Sequence, residues 1–470
     1  MIEFGTGGWR AVIGDGFTKA NIQMLSEAMC RKMKAEHVEN QGMVVGYDRR
    51  FLAKEAMCWI GQVFAAEGIH IQLIYYSVPT PVTMFYVMKQ QLPYGMMVTA
   101  SHNPAIYNGV KIFTRGGRDA DKRQTDEIET ILRGIRPEDV PEMDYEEALQ
   151  KGLIEEIYPL NDYLDNIIDC INMKAIRDAR LRIALDPLYG VSEMSLKTIL
   201  LTARCQLETI HENHDTLFGG QLPAPNRETI RGLQNYVVAR HCDFGLATDG
   251  DADRLGVIDD QGRFLHPNDI LVLLYYYLVK YKGWKGPAVR NLATTHRLDA
   301  IAHSFGEECY EVPVGFKYIS AKMQETDAVL GGESSGGLTV RGHILGKDAV
   351  YAASLLVEMV AVTKKKLSEI MDEIDQLYGV SYMEEFDCRF RPEQKTSIHR
   401  KLMVEKQLPE FPVPVTKVSY LDGCKVYFEN GGWVIARFSG TEPLLRVFCE
   451  MPDEKCAIMI CKIMETFLLS

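Results

Sequence analysis

MMVTASHNP, residues 96–104, carries an apolar run into a serine at the end of an extended segment. Val98 and Thr99 favour extended backbone, whereas Ser101, His102, Asn103 and Pro104 are polar or turn-forming, and a residue before proline is steered away from helix. Ser101 therefore stands on a strand-to-loop edge. A hydroxyl there can attack as a nucleophile or carry a phosphoryl group, but serine is weak until a base or a metal activates it. His102 does not make this a Ser-His hydrolase, because adjacent residues of an extended chain point to opposite sides. A lone loop serine is ordinarily a turn cap, so the reading depends on what accompanies it.

Three other stretches do. TDGDADR, residues 248–254, follows a strand-like segment and sets Asp249, Asp251 and Asp253 at alternate positions. Such an oxygen-rich cluster suits Mg²⁺, and the rival EF-hand fails because its sixth position would be Arg254 instead of glycine. RFSGTEPLLR, residues 437–446, combines two guanidinium groups, two hydroxyls and a glycine, the ingredients of a phosphate cradle. SGT alone reads equally well as a capped turn. GGESSGG, residues 331–337, offers a carboxylate and two hydroxyls to a polyol, although glycine and serine also make plain linkers. Lys317 in VGFKY, and His343 and Lys347 in GHILGKD, are cationic or titratable candidates nearby.

With 470 residues, 46% hydrophobic and 25% charged, the chain reads as a globular protein of three or four domains. Its 52 Lys and Arg against 64 Asp and Glu leave a net charge of −12, which opposes general attraction to nucleic acid or to an anionic membrane. An anionic substrate would need a local basic pocket. Eleven cysteines, scattered and odd in number, argue against a closed disulfide framework and point to reduced thiols in a cytoplasm. No signal-peptide pattern opens the chain. The longest apolar run, residues 270–279, is too short to span a bilayer and reads as a buried helix.

Strand and helix patterns alternate through residues 18–113, which implies βαβ units and a mostly parallel sheet. An amphipathic helix follows with Leu160, Leu164, Ile167, Ile168 and Ile171 on one face. Similar alternation recurs twice, and from Tyr382 longer strands and a closing helix from Glu454 suggest an α+β unit. The expected domains are residues 1–156, 157–262, 263–378 and 379–470.

Taken in order, the four loops resemble those of the α-D-phosphohexomutase superfamily, the phosphoglucomutase and phosphomannomutase enzymes. TASHNP resembles the family's phosphoserine loop, TDGDADR its Mg²⁺ loop, GGESSGG its sugar-recognition loop and RFSGTEP its phosphate-binding loop; GTGGWR and YNGVK look like further family elements. The resemblance implies an α/β architecture of four domains around a central cleft, three similar mixed α/β domains and a C-terminal domain like the TATA-binding-protein fold. It implies a phosphohexomutase that passes a phosphoryl group from Ser101 to a hexose monophosphate, through a hexose 1,6-bisphosphate that turns end over end. Glucose is the expected hexose, with phosphomannomutase or phosphoglucosamine mutase as alternatives. A catalytically silent sugar-phosphate binder is a different class, and it would need neither Ser101 nor three aspartates.

Carried onto this chain, the resemblance puts Ser101, Arg10, His102, Lys111 and His343 in catalysis, with Lys111 and then His343 as proton-transfer candidates. Ser101, Asp249, Asp251 and Asp253 would hold Mg²⁺. Arg254, Lys317, Glu333, Ser335, Lys347, Arg437, Ser439, Gly440, Thr441 and Arg446 would bind substrate. Hexose phosphates are the expected partners, with hexose 1,6-bisphosphate as activator. Two departures stand out: Gly337 occupies a position where several mannose- and glucosamine-type members carry histidine, and Phe438 stands where a small residue or proline is common.

Overall fold

Four sheets succeed one another along the computed structural model, which describes residues 2–5, 7–438 and 444–469. The first has seven strands. Met43–Tyr47 pairs in parallel with Ile71–Ile74 and with Tyr94–Val98, and Ile154–Ile157 joins Ile71–Ile74, also in parallel. From Tyr94–Val98 the chain returns antiparallel as Tyr107–Thr114, with Val98 opposite Val110, and Trp9–Val12 closes that edge antiparallel. This sheet is mixed where a mostly parallel one was expected. The reason lies in residues 99–106, a connection too short for the dozen or more residues that a parallel crossover requires. Ile154–Ile157 belongs to this sheet, so a boundary drawn at 156 falls inside a strand.

The second and third sheets repeat the arrangement. Arg182–Asp186 pairs in parallel with Gln206–Thr209 and Phe244–Thr248, and Leu255–Ile258 returns antiparallel. Ala288–Asn291 pairs in parallel with Cys309–Val312 and Leu330–Gly332, and Leu338–Val340 returns antiparallel. Three times, therefore, a parallel strand ends, a loop turns, and the chain runs back beside it. Those three loops hold Ser101, the aspartates and Glu333, at the carboxyl ends of parallel strands where α/β sheets place their ligands.

One apolar core runs through all three α/β units, joining Phe85, Tyr163, Ile167, Leu196, Leu271 and Leu355. Helix Pro267–Lys280 lies within it, with Tyr275, Tyr276 and Tyr277 no more than 1% exposed, which fits its unbroken apolar run. Among the described residues no helix is long and apolar enough to cross a membrane.

The fourth sheet is antiparallel, in the order Tyr382–Arg389, Leu444–Met451, Trp433–Phe438, Cys424–Phe428, Val415–Ser419, with helix Glu454–Leu469 against it. It has its own core around Val426, Val447 and Met464. Its apolar contact with the third unit is small: Trp433 and Ile435 meet Leu292 and Ala293.

Candidate active site

Ser101 sits in the left-handed region at φ 52°, a strained position for a residue with a Cβ. The surroundings hold it there. Its N–H donates to Thr99 Oγ1 at 2.8 Å, and Thr99 in turn donates to Asp48 Oδ2 at 2.6 Å. The Arg50 guanidinium donates through Nη2 to the carbonyls of Ser101 and Asn103 and through Nη1 to those of Pro104 and Tyr107, at 2.6 to 2.9 Å. Strain of this kind persists only where its surroundings over-determine it. Neither Arg50 nor Asp48 was singled out from sequence, although the run Asp48-Arg49-Arg50 directly after strand Met43–Tyr47 was the available signal.

The serine hydroxyl faces the second domain and donates to Asp249 Oδ2 at 2.8 Å, while His102 Nδ1 lies 3.3 Å from Ser101 Oγ. Asp249 Oδ1 accepts from the backbone N–H groups of Asp253 and Arg254 at 2.9 and 3.0 Å, which fixes the loop's curl. Asp251 Oδ2 accepts from Thr80 Oγ1 and Lys111 Nζ, both at 2.6 Å, and Asp253 Oδ2 accepts from Lys111 Nζ at 2.6 Å and forms an ion pair with Lys347 Nζ at 2.8 Å. All three carboxylates are buried.

Ligand oxygens of the three aspartates lie within 4.8 Å of one another. Asp251 Oδ1 and Asp253 Oδ1 are buried with no hydrogen-bond partner among the described residues. Burial, followed by Asp251 and Asp253, pushes the Asp249 carboxyl far above the ordinary range, so three ionised carboxylates are not tolerated together without added positive charge. Hard oxygen donors, orphaned oxygens and mutual repulsion all fit a divalent cation such as Mg²⁺.

Cations surround the carboxylates. Burial would depress the Lys111 ammonium, but Asp251 and Asp253 outweigh it and keep its pKa above the usual lysine value. Lys111 is therefore a fixed charge and a hydrogen-bond donor here, neither acid nor base. Burial, with Arg254 and Arg10 adding to it, lowers His102 well below the ordinary histidine value, so its imidazole is neutral. Burial and then Arg254 lower Arg10, and the Nε atoms of Arg10 and Arg254 are buried without an acceptor among the described residues. Two neighbouring guanidinium groups with unused donors suit an anion.

Glu333 lies on the third loop. Its Oε1 accepts from Asn291 Nδ2 at 3.1 Å and Gly315 N–H at 3.2 Å, and Ser335 Oγ is 3.5 Å from Oε2. The bond to Gly315 brings the VGFKY segment, and half-buried Lys317, alongside this loop. The N–H of Leu255 donates to Gly336 O at 3.1 Å, which joins the loop of Glu333 to the end of the aspartate loop. At Gly337 a Cβ would fall 2.2 Å from Lys347 Cδ, so the glycine is what lets Lys347 reach Asp253.

His343 is placed elsewhere, contrary to its expected part in proton transfer. Its side chain is fully enclosed, with Nε2 2.7 Å from Asp348 Oδ2, Nδ1 3.1 Å from Asn166 Oδ1, and the rings of Tyr163, Phe85 and Tyr351 around it. With both ring nitrogens engaged, it supports the packing where the first three domains meet.

On the fourth sheet Arg437 and Arg446 stand directly opposite each other on paired strands. Like charges opposite each other are destabilising unless something anionic lies between or beside them. Asp422 is 2.8 Å from Arg437 and Asp387 3.8 Å from Arg446. Ser439, Gly440 and Thr441 lie outside the described residues. Phe438 packs edge-on against Phe390, so its bulk is absorbed within the fourth domain.

A serine hydroxyl held against a buried carboxylate triad, in a chain of three similar α/β domains and an antiparallel fourth, is the arrangement of an intramolecular phosphotransferase. The chain belongs to the phosphoglucomutase/phosphomannomutase family of the α-D-phosphohexomutase superfamily. Family models for alpha/beta/alpha domains I, II and III match residues 1–139, 161–262 and 266–378, and that for the C-terminal domain matches residues 360–461. A Thermococcus kodakarensis protein named phosphoglucomutase/phosphomannomutase is 28% identical over 457 residues, covering 97% of this chain and 95% of the relative. A phosphoglucosamine mutase of Methanococcus vannielii is 29% identical over 384 residues, 81% of each chain. Among solved structures, a protein of Thermus thermophilus assigned as a phosphomannomutase superposes with a TM-score of 0.86 at 28% identity, over 100% of this chain and 99% of that one.

Proposed function

We propose that the chain interconverts hexose 1-phosphates and hexose 6-phosphates by passing a phosphoryl group through Ser101. The observation that carries this reading is the 2.8 Å bond from Ser101 Oγ to Asp249, which sets a nucleophile against the carboxylate triad. In the forward half-reaction the Oγ–P bond of phosphorylated Ser101 breaks and a bond from phosphorus to a sugar hydroxyl oxygen forms. The hydroxyl proton ends on Ser101 Oγ, where the structure has it, donated to Asp249. After the bisphosphate reverses in the cleft, the same steps run backwards from its other phosphate. Mg²⁺ on Asp249, Asp251 and Asp253 would neutralise phosphoryl charge during transfer. Arg10 and Arg254 contribute fixed positive potential, and Lys111 holds the aspartate loop as a fixed charge hydrogen-bonded to Asp251 and Asp253. Glu333 with Ser335 would read sugar hydroxyls, Lys317 and Lys347 would flank them, and Arg437 with Arg446 would hold the phosphate that is not reacting.

For the sugar, glucosamine and mannose phosphates move ahead of the glucose expected from sequence. Support for that order is the naming of the relatives, which favours those sugars. A coupled assay over glucose, mannose, glucosamine and N-acetylglucosamine 1-phosphates ranks them by kcat/KM. In the same assay Ser101→Ala should abolish turnover while hexose phosphate still binds, and intact mass of active enzyme should show one phosphoryl group on Ser101. Undiminished turnover by the alanine variant would exclude the mechanism.

A further inference from the structure

Between the third and fourth domains one carboxylate oxygen accepts from both sides. Asp422 Oδ2 accepts from Arg437 Nε at 2.8 Å and from the backbone N–H of Val314 at 3.0 Å. It thereby ties a side chain of the fourth sheet to the main chain of the third domain. The turn that carries Asp422 is pressed against the strand that carries Arg437: Gly423 has φ +92°, and a Cβ there would fall 2.6 Å from Ala436 O and 3.1 Å from Arg437 Cα. On the far side, Val314 is followed by Gly315, whose N–H donates to Glu333 Oε1. From the Arg437 guanidinium to the Glu333 carboxylate the route is thus one carboxylate, one residue of main chain and three hydrogen bonds.

We propose that Asp422 is a positioning residue that sets the spacing between Arg437 and Glu333, and so between the held phosphate and the sugar being read. The inference rests on the reading of Arg437 and Glu333 as substrate contacts. A guanidinium is a rigid fork, so fixing Nε fixes the plane in which its two terminal nitrogens meet a phosphate. Asp422 is suited to this by its short stem, which leaves little play between the turn and the two donors. The held phosphate is gripped equally in ground and transition states, so loosening the grip raises KM and leaves kcat nearly unchanged.

The test is steady-state kinetics on the full-length enzyme with hexose 1-phosphate and with hexose 6-phosphate. Asp422→Ala should raise KM for both about tenfold, the order expected for losing one charge-assisted contact, with kcat within about threefold. Asp422→Asn keeps an oxygen for Val314 and Arg437 and should recover most of the affinity. In an Arg437→Ala background, Asp422→Ala should add less than about twofold to KM, because a residue that acts through Arg437 has nothing left to position. A purely structural role would instead lower the melting temperature and raise KM independently of Arg437. If Asp422→Ala leaves KM unchanged while Arg437→Ala raises it, or if the two effects on KM multiply, the positioning role is overturned and the clamp reading stands. If Arg437→Ala itself leaves KM unchanged, the clamp reading falls and this inference falls with it.

Discussion

Arg50 binds four carbonyl oxygens with two nitrogens, an arrangement that lysine's single ammonium cannot reproduce. Arg50→Lys keeps the charge but strands carbonyls of a buried loop, each at about 1 to 3 kcal/mol. It should therefore lower kcat by roughly ten- to a hundredfold, because the loop that presents Ser101 is no longer held. Steady-state assay checks this; wild-type kcat would show that the loop holds itself. Beneath Arg50 lies Asp48, where burial outweighs Arg50 and Thr99 and brings the carboxyl up to about 6. A native pKa above the unfolded value of about 4 means that the folded chain takes up this proton first. That contribution to stability is complete below about pH 4 and is lost as pH rises through about 6. Relative to Asp48→Asn, which does not titrate, wild type should lose on the order of 2 to 3 kcal/mol between pH 4 and pH 7. Denaturant midpoints at four pH values measure it, and a flat difference would mean that Asp48 titrates as it does in the unfolded chain.

At the scale of elements, the strand, loop and return strand repeated in three domains explains what sequence discloses. The motifs at residues 96–104 and 248–254 are local: strand, turn and donor types lie within nine residues or fewer, so their character reads directly from the chain. Arg50 and Thr80 act on loops 51 and 171 residues away, and only strand order brings them there. No pattern in one sequence reveals that order. GHILGKD shows the limit most sharply. His343 and Lys347 are four residues apart, yet one turns into a buried cluster with Asp348 and the other reaches Asp253. The turn between them, not their chemistry, separates the two roles. Gly337 is part of that outcome, because it leaves room for the Lys347 stem. Gly337→Ala should displace Lys347 and lower kcat about tenfold, and Lys347→Met should do the same. The double variant should be no worse than either single one, since both remove one contact. Multiplied losses in the double variant would show that the glycine and the lysine act separately.

Across the whole molecule, a continuous core binds the first three domains, whereas the fourth meets them through a narrow apolar patch and a polar seam. In that seam Lys425 Nζ donates to Leu292 O and Glu311 Oε2, both at 2.7 Å, and Glu450 Oε2 accepts from the His296 backbone N–H at 2.9 Å. Burial and then Arg290 bring the Lys425 ammonium down to about 7, so this seam is held by less than a full ion pair at neutral pH. Such a small interface permits the fourth domain to move, and a phosphate on Arg437 would draw it in. Small-angle scattering should show compaction with a hexose 1,6-bisphosphate that Arg437→Ala loses; equal compaction in the variant would place the clamp elsewhere. The return strands also bear on how the chain comes to life. Each reactive loop is closed by a neighbour only 12, 7 or 6 positions on, Val98 with Val110, Thr248 with Leu255, Gly332 with Leu338. Contacts so close in sequence form early and at little entropic cost, whereas Ser101 must wait for Asp249, 148 residues downstream in another domain. Each domain thus acquires a finished loop with no chemistry to perform. On refolding from denaturant, circular dichroism should recover first and turnover only afterwards, when the separately built domains dock.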